Sequence, residues 1–244
     1  MLPAPAQVLT RWLTERPSAP IITYYGGDGA RVELSAATTA NAVHKAVNLF
    51  ADELLLDPGD VVWLGLPCHW QAPIIAMGAW AAGLTVAVGP RPPAGTAATL
   101  AAADAGVDAV GAALAVSLHP WGLPLGPAAP AGWDDFAALA RSQPDAAVLR
   151  WPDSGQPWLL GPGPGGAPGL TGPGLAELSA RLATAWSLTA GGGLLSSLRP
   201  DGAAGLLACT LVPASVAGRV ILADGADEAQ ISQQERNQAS ASDV

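Results

Sequence analysis

Residues 57–67 read DPGDVVWLGLP. Asp57-Pro58-Gly59-Asp60 is a turn cluster that a helix does not cross. Val61 to Leu66 then runs apolar without alternation, which is the pattern of a strand covered on both faces, as in a parallel sheet. Pro67 closes it. Upstream, Ser35 is placed to N-cap a helix. Ala36, Ala40, Val43, Val47, Phe50 and Leu54 recur there at steps of four and three and draw one apolar face. Asn41, His44, Lys45 and Asn48 fall on the other, solvent face. Downstream, Gln71 to Ala82 reads as a helix, Gly83 as its stop and Leu84 to Val88 as a second buried strand. Helix alternating with apolar strand implies βαβ units. The expected fold class is α/β: a mostly parallel sheet with helices on both faces, preceded by a small hairpin. The hairpin pairs Ile21–Tyr25 with Ala30–Leu34 around Gly26-Gly27-Asp28-Gly29.

The rest of the chain reads more weakly. Gln7–Glu15 is a short amphipathic helix. Thr96–Ala105 is Ala-rich and reads as a helix, with Val107–Ala112 the strand after it. Asp134–Arg141 is a short helix, and Ala146–Arg150 and Trp158–Leu160 are weaker strands. Leu175–Leu188 and Gly205–Val212 read as helices and Val220–Ala223 as a strand. The expected organisation is one domain over 1–223, with a subdivision near 145–165. A polar C-terminal helix and frayed tail follow over 224–244.

The chain has 244 residues, half of them hydrophobic and 13% charged, a composition that argues against disorder. Its net charge of −9 works against binding nucleic acid or an anionic membrane. Of eleven basic residues only Lys45 is a lysine. Cys68 and Cys209 stand far apart and form neither a disulfide framework nor a zinc pattern. The start of the chain lacks the basic and apolar regions of a secretion signal. The longest apolar run, Ile74 to Val88, falls short of the roughly 18 residues expected of a membrane helix. A cytoplasmic location is the expectation.

The order of hairpin, helix, DPGDVVWLGLP, helix and AAGLTVAVGP resembles the start of the adenylate-forming superfamily. That superfamily contains acyl-CoA synthetases, nonribosomal-peptide adenylation domains and luciferases. Gly59, Asp60, Val61 and Pro67 match its first block, and Ala82, Gly83 and Pro90 its second. The likeness extends weakly to about residue 223 and corresponds to the first part of the family's large N-terminal domain. More narrowly, the chain resembles short adenylate-forming-like proteins of actinobacteria whose function is uncharacterised.

Residues 161–172, GPGPGGAPGLTG, fall where the family carries its phosphate loop, T-S-G-T-T-G-x-P-K-G. Aligned on Pro168, Gly163 and Gly166 are kept. The paired hydroxyls become Pro164 and Gly165, and the lysine becomes Gly169. The resemblance therefore makes Gly163, Gly165, Gly166, Gly169 and Thr171 a degenerate phosphate loop. Prolines 162, 164 and 168 remove three N–H donors from it. A lost charge-assisted hydrogen bond is worth about 1.5–3 kcal/mol. A lost electrostatic stabiliser at a reacting centre costs on the order of 10²–10³ in rate. The family also uses a second lysine in a mobile C-terminal domain, and Lys45 is not placed to replace it. The expectation is an inactive relative with no catalytic residue, metal or obligatory cofactor, weak ATP or AMP binding staying open. It would act on an unknown protein partner or self-associate, away from nucleic acid and membrane. The alternatives are an adenylate-forming enzyme half needing a second chain, and a structural homo-oligomer. Cys68-His69 sits at a carboxyl strand end, where open α/β sheets bind ligands. Adjacent residues of an extended segment point to opposite sides, so packing is favoured over a Cys/His nucleophile.

Overall fold

The computed structural model describes residues 3–161, 169–235 and 239–241. In chain order these form α1 (Pro5–Thr14), β1 (Pro20–Gly26), β2 (Arg31–Ser35), α2 (Ala36–Asn48) and a π-helical turn (Leu49–Glu53). Next come β3 (Val61–Gly65), α3 (Gln71–Ala81), β4 (Thr85–Ala87), β5 (Thr96–Ala102) and β6 (Ala112–Val116). The middle of the chain holds β7 (Asp134–Asp135), α4 (Phe136–Ser142), β8 (Pro157–Leu160), β9 (Leu170–Thr171) and α5 (Gly172–Ala185). The last elements are β10 (Gly193–Ser196), α6 (Ala203–Ala208), α7 (Leu211–Ser215), β11 (Arg219–Asp224), α8 (Glu228–Glu235) and β12 (Ala239–Ser240).

The strands make two sheets rather than one. The five-stranded sheet has the order β12-β10-β11-β1-β2 and the seven-stranded sheet the order β7-β6-β5-β3-β4-β8-β9. Pairing is parallel throughout, except for the β1–β2 hairpin and the β8–β9 hairpin. The chain is thus mixed α/β with mostly parallel sheets flanked by helices. One hydrophobic core joins the sheets. It takes in Ile22, Leu194, Val220 and Leu222 of the first and Val62, Leu64, Leu100 and Leu114 of the second.

Helix α3 packs on α2 and against β3 and β4 of the seven-stranded sheet. All eleven residues of α3 are buried, so it has no polar face, as expected for a helix enclosed on every side. Gly78 lets it lie directly on α2, since a Cβ there would fall 2.5 Å from that of Ala46. Gly83, at φ +84°, ends it in the left-handed region that glycine adopts without steric cost. Helix α2 begins where expected: the Ser35 hydroxyl accepts from the Thr38 N–H at 3.2 Å.

Several sequence expectations are corrected. Thr96–Ala105 is not a helix; Thr96–Ala102 is β5, paired on both sides by β3 and β6. The helix preference of alanine is a few tenths of a kcal/mol, roughly, and two ladders of backbone hydrogen bonds outweigh it. Small residues suit this position, because Ala101 packs under Trp63 on the outward face. The following strand is Ala112–Val116, later than Val107–Ala112. Residues 103–111 form the connection, anchored by the Val110 N–H and carbonyl on the Thr99 hydroxyl. Ala146–Arg150 is not a strand; Arg150 makes an isolated bridge to Ala82, the residue that ends α3. Gly205–Val212 breaks at Thr210 into α6 and α7.

The polar face of α2 does not simply face solvent. Lys45 Nζ reaches Asp145 at 2.8 Å and donates to the Gln143 carbonyl at 2.6 Å. Asn48 donates to the carbonyls of Pro144 and Ala146, and His44 bonds to that of Asp145. This face holds the 143–146 segment, and periodicity cannot tell such a partner from water. The end of the chain is not frayed throughout. Glu235 at the end of α8 is gripped by Arg31, Arg219 and Tyr25, and Ala239–Ser240 pairs with Leu194–Leu195.

Candidate functional site

The glycine-rich stretch lies between β8 and β9. Strand β8 runs parallel to β4, with Leu159 opposite Val86, and turns back antiparallel into β9. Of the five residues in the expected phosphate loop, Gly163, Gly165 and Gly166 lie outside the described residues. Gly169 and Thr171 lie within them and have distinct surroundings. A Cβ at Gly169 would fall 2.6 Å from Leu160 Cδ2, 2.6 Å from Pro157 Cβ and 3.1 Å from the Leu159 carbonyl oxygen. The position is closed by β8. Thr171 has the extended backbone of an N-cap residue for α5, but its side chain makes no capping hydrogen bond. Pro173 occupies the first turn of α5, where a missing N–H is tolerated.

A second group of residues was only half visible in the sequence. The carboxyl ends of the two sheets meet at Cys68-His69, just after β3. The Cys68 thiol donates to the Ser196 carbonyl at the end of β10, 3.5 Å away. The His69 ring lies edge-on to Tyr24 of β1, with centroids 4.7 Å apart. His69 Nδ1 accepts from the Gln71 N–H. Thiol and imidazole therefore have separate partners.

Electrostatics removes these groups from acid–base chemistry at neutral pH. Burial pushes the Cys68 thiol up to about 12, with the charges of Asp224 and Glu228 adding to it. Burial likewise lifts Tyr24 to about 12, reinforced by Asp224 and Asp28. Burial lowers His69 to about 4. At pH 7 the thiol and phenol are protonated and the imidazole is neutral. Asp224 is raised by burial, and Arg199 opposes that shift. The arrangement is a packed seam between sheets rather than a nucleophile beside its base. Turn residues at 67–69 gave a sequence signal for it; Tyr24, Ser196 and Asp224 had none, because they arrive from the other sheet.

Among the described residues no group of three His, Cys, Asp or Glu side chains could hold a metal ion. Among them, too, no helix is long and apolar enough to cross a membrane.

The fold is shared with acyl-CoA synthetases of known structure. The chain superposes on an acyl-CoA synthetase from Brucella canis with a TM-score of 0.71 and 16% identity, over 96% of this chain and 49% of that one. A benzoate CoA ligase from Burkholderia xenovorans LB400 gives a TM-score of 0.70 at 16% identity, over 96% and 48%. The match is to the N-terminal domain of such synthetases, and the chain spans about half their length. In sequence, a Mycobacterium tuberculosis family protein whose name states no activity is 37% identical over 148 residues. That covers 58% of this chain and 60% of the mycobacterial protein. No protein-family model matches.

Proposed function

We propose that this chain is a binding or partner module on the adenylate-forming fold in which nucleotide activation has lapsed. One observation carries the reading. Gly169, which aligns with the phosphate-loop lysine, has no space for a side chain, because Leu160 and Pro157 fill it. The cation is absent and so is its volume. Lys45, the chain's one lysine, is held by Asp145 and the Gln143 carbonyl. Prolines at 162, 164 and 168 withhold N–H groups from a loop that works by donating them. The module takes a protein partner or a second copy and is cytoplasmic on this reading.

The test is ATP–pyrophosphate exchange with a panel of carboxylic acids, alongside ATP titration calorimetry on the full chain. The expected result is no exchange and no saturable ATP binding at millimolar nucleotide. Exchange with any acid, or micromolar ATP binding lost on deleting 161–169, overturns the reading. Exchange that appears only when a second host protein is added would replace it with a two-chain enzyme.

A further inference from the structure

A cavity of about 200 Å³ lies between α2, the start of α3, α4 and the turn at 119–122. Its walls include Trp70, Ile74 and Phe136, with Trp121, Lys45 and Arg141. Among the described residues, neither β8 nor β9 borders it, and its walls are separate from Gly169.

The walls are held firmly. Trp70 Nε1 donates to the Pro120 carbonyl at 3.0 Å, and Gln71 Nε2 donates to that of Ser117. The turn doubles back on itself: the Gly122 N–H reaches the His119 carbonyl at 2.7 Å, and the Trp121 N–H reaches His119 Nδ1 at 3.1 Å. Gly122, at φ +58°, lies so close to Trp70 that a Cβ would fall 3.0 Å from its ring. On the far side, Asp135 caps α4 through the N–H groups of Ala137 and Ala138.

Two features of the cavity are unusual. Trp121 is 73% exposed, so burial does not explain its place there. The charges are also unbalanced. Lys45 is matched by Asp145 at 2.8 Å. Arg141 donates to the Gly122 carbonyl at 3.3 Å and, among the described residues, has no carboxylate within ion-pair distance. Among the described residues, no Asp or Glu borders the cavity. In a chain of net charge −9, an aromatic cavity with an unmatched arginine is a local reversal of sign.

We propose that this cavity binds a small organic anion built on one aromatic ring. The ring lies against Trp70, Ile74 and Phe136 with Trp121 over it, and the anionic group meets Arg141. Size sets the limit: an apolar cavity of about 150 Å³ takes up one benzene ring. Sites for drug-sized ligands run to about 300–1,000 Å³. Aromatic walls favour a flat apolar body, and a guanidinium offers a carboxylate two parallel donors.

The experiment is fluorine NMR of 4-fluorophenylacetate and its neutral isostere 4-fluorophenylacetamide, titrated with the full chain. The acid is expected to broaden saturably at millimolar concentration and to bind at least about tenfold more tightly than the amide, a difference within reach of one charge-assisted contact. Arg141→Gln should abolish that preference while leaving weak binding of the amide. Ala140→Leu should fill the cavity and weaken both ligands. Circular dichroism checks the folding of each variant; Arg141 is exposed, so its variant remains decisive if the cavity-filling one does not fold. Equal binding of acid and amide, no broadening by either, or an acid preference that survives Arg141→Gln overturns the proposal.

Discussion

The indole Nε1 of Trp80 donates to the carbonyl oxygen of Trp158 at 2.8 Å, both residues buried. The bond ties the enclosed helix α3 to β8, the strand that leads into the glycine-rich stretch. Their rings also approach, with centroids 5.9 Å apart. Trp80→Phe keeps most of the volume but removes the indole donor from that carbonyl, and should cost about 1 kcal/mol. Trp80→Ala adds a cavity and should cost about 3–5 kcal/mol. Urea midpoints measured for the two variants check both values; equal losses would mean that the hydrogen bond, and not the ring volume, sets the cost here.

Gly169→Ala should destabilise although it adds one methyl group. The new Cβ meets Leu160 and Pro157 well inside van der Waals contact, so β8 and β9 must separate. Overpacking of this kind costs about 1–3 kcal/mol. Thermal melting should show the loss. Gly155→Ala is the control, because a Cβ there meets no atom within 4 Å; equal shifts for the two would refute the close approach.

Glu235 anchors α8. Tyr25 Oη donates to it at 2.5 Å, and Arg31 and Arg219 each approach at 2.9 Å. Burial acts to raise its carboxyl, but the hydrogen bonds from Tyr25 and Arg31, with both arginine charges, hold it below the ordinary value of 4.5. A depressed carboxyl adds stability that is fully present above the unfolded value and is lost as pH falls through the folded one. Glu235→Gln should therefore cost about 1–3 kcal/mol at pH 7. The gap between variant and parent should narrow below about pH 4.5. Denaturant titrations from pH 3 to 7 measure this; a constant gap would show that the charge is not what acts.

His69 carries an opposite kind of cost, since its charged form is disfavoured in the folded state. Its folded value of about 4 lies below the ordinary 6.5. Between those values the unfolded chain binds a proton that the folded chain does not, so stability falls as pH drops from about 6.5 to about 4. The loss is on the order of 3 kcal/mol. His69→Phe, which keeps a ring beside Tyr24, should flatten that part of the stability curve. An unchanged slope would place the charge-sensitive group elsewhere.

Both thiols should be inert in the folded protein. Burial raises Cys68 to about 12 and Cys209 well above the ordinary 9, leaving almost no thiolate at neutral pH. A thiol reagent at pH 7.5 should label neither until denaturant unfolds the chain, and then both. Rapid labelling of Cys68 in the native state would reopen a nucleophilic role.

The amino-acid sequence by itself determined the elements whose signal is local. The turn at 57–60, the apolar run from Val61, the stop at Gly83, the Ser35 cap and the hairpin at 26–29 each follow from propensity, periodicity or turn chemistry within a dozen residues. The loss of lysine and N–H donors from 161–172 was equally legible, because it is a matter of which groups exist. Tertiary structure decided everything that depends on what lies opposite. It made Thr96–Ala102 a strand, because two neighbouring strands outweigh a weak preference of alanine. It turned the polar face of α2 onto the 143–146 segment, since a carbonyl and a water molecule satisfy the same donor. It split one expected sheet into two. It closed the space at Gly169 with side chains from β8, and it brought Tyr24 and Ser196 to Cys68-His69 from the far sheet. Hydrogen bonds and packing act between residues close in space, and no local pattern in a sequence records which distant segment will supply the partner.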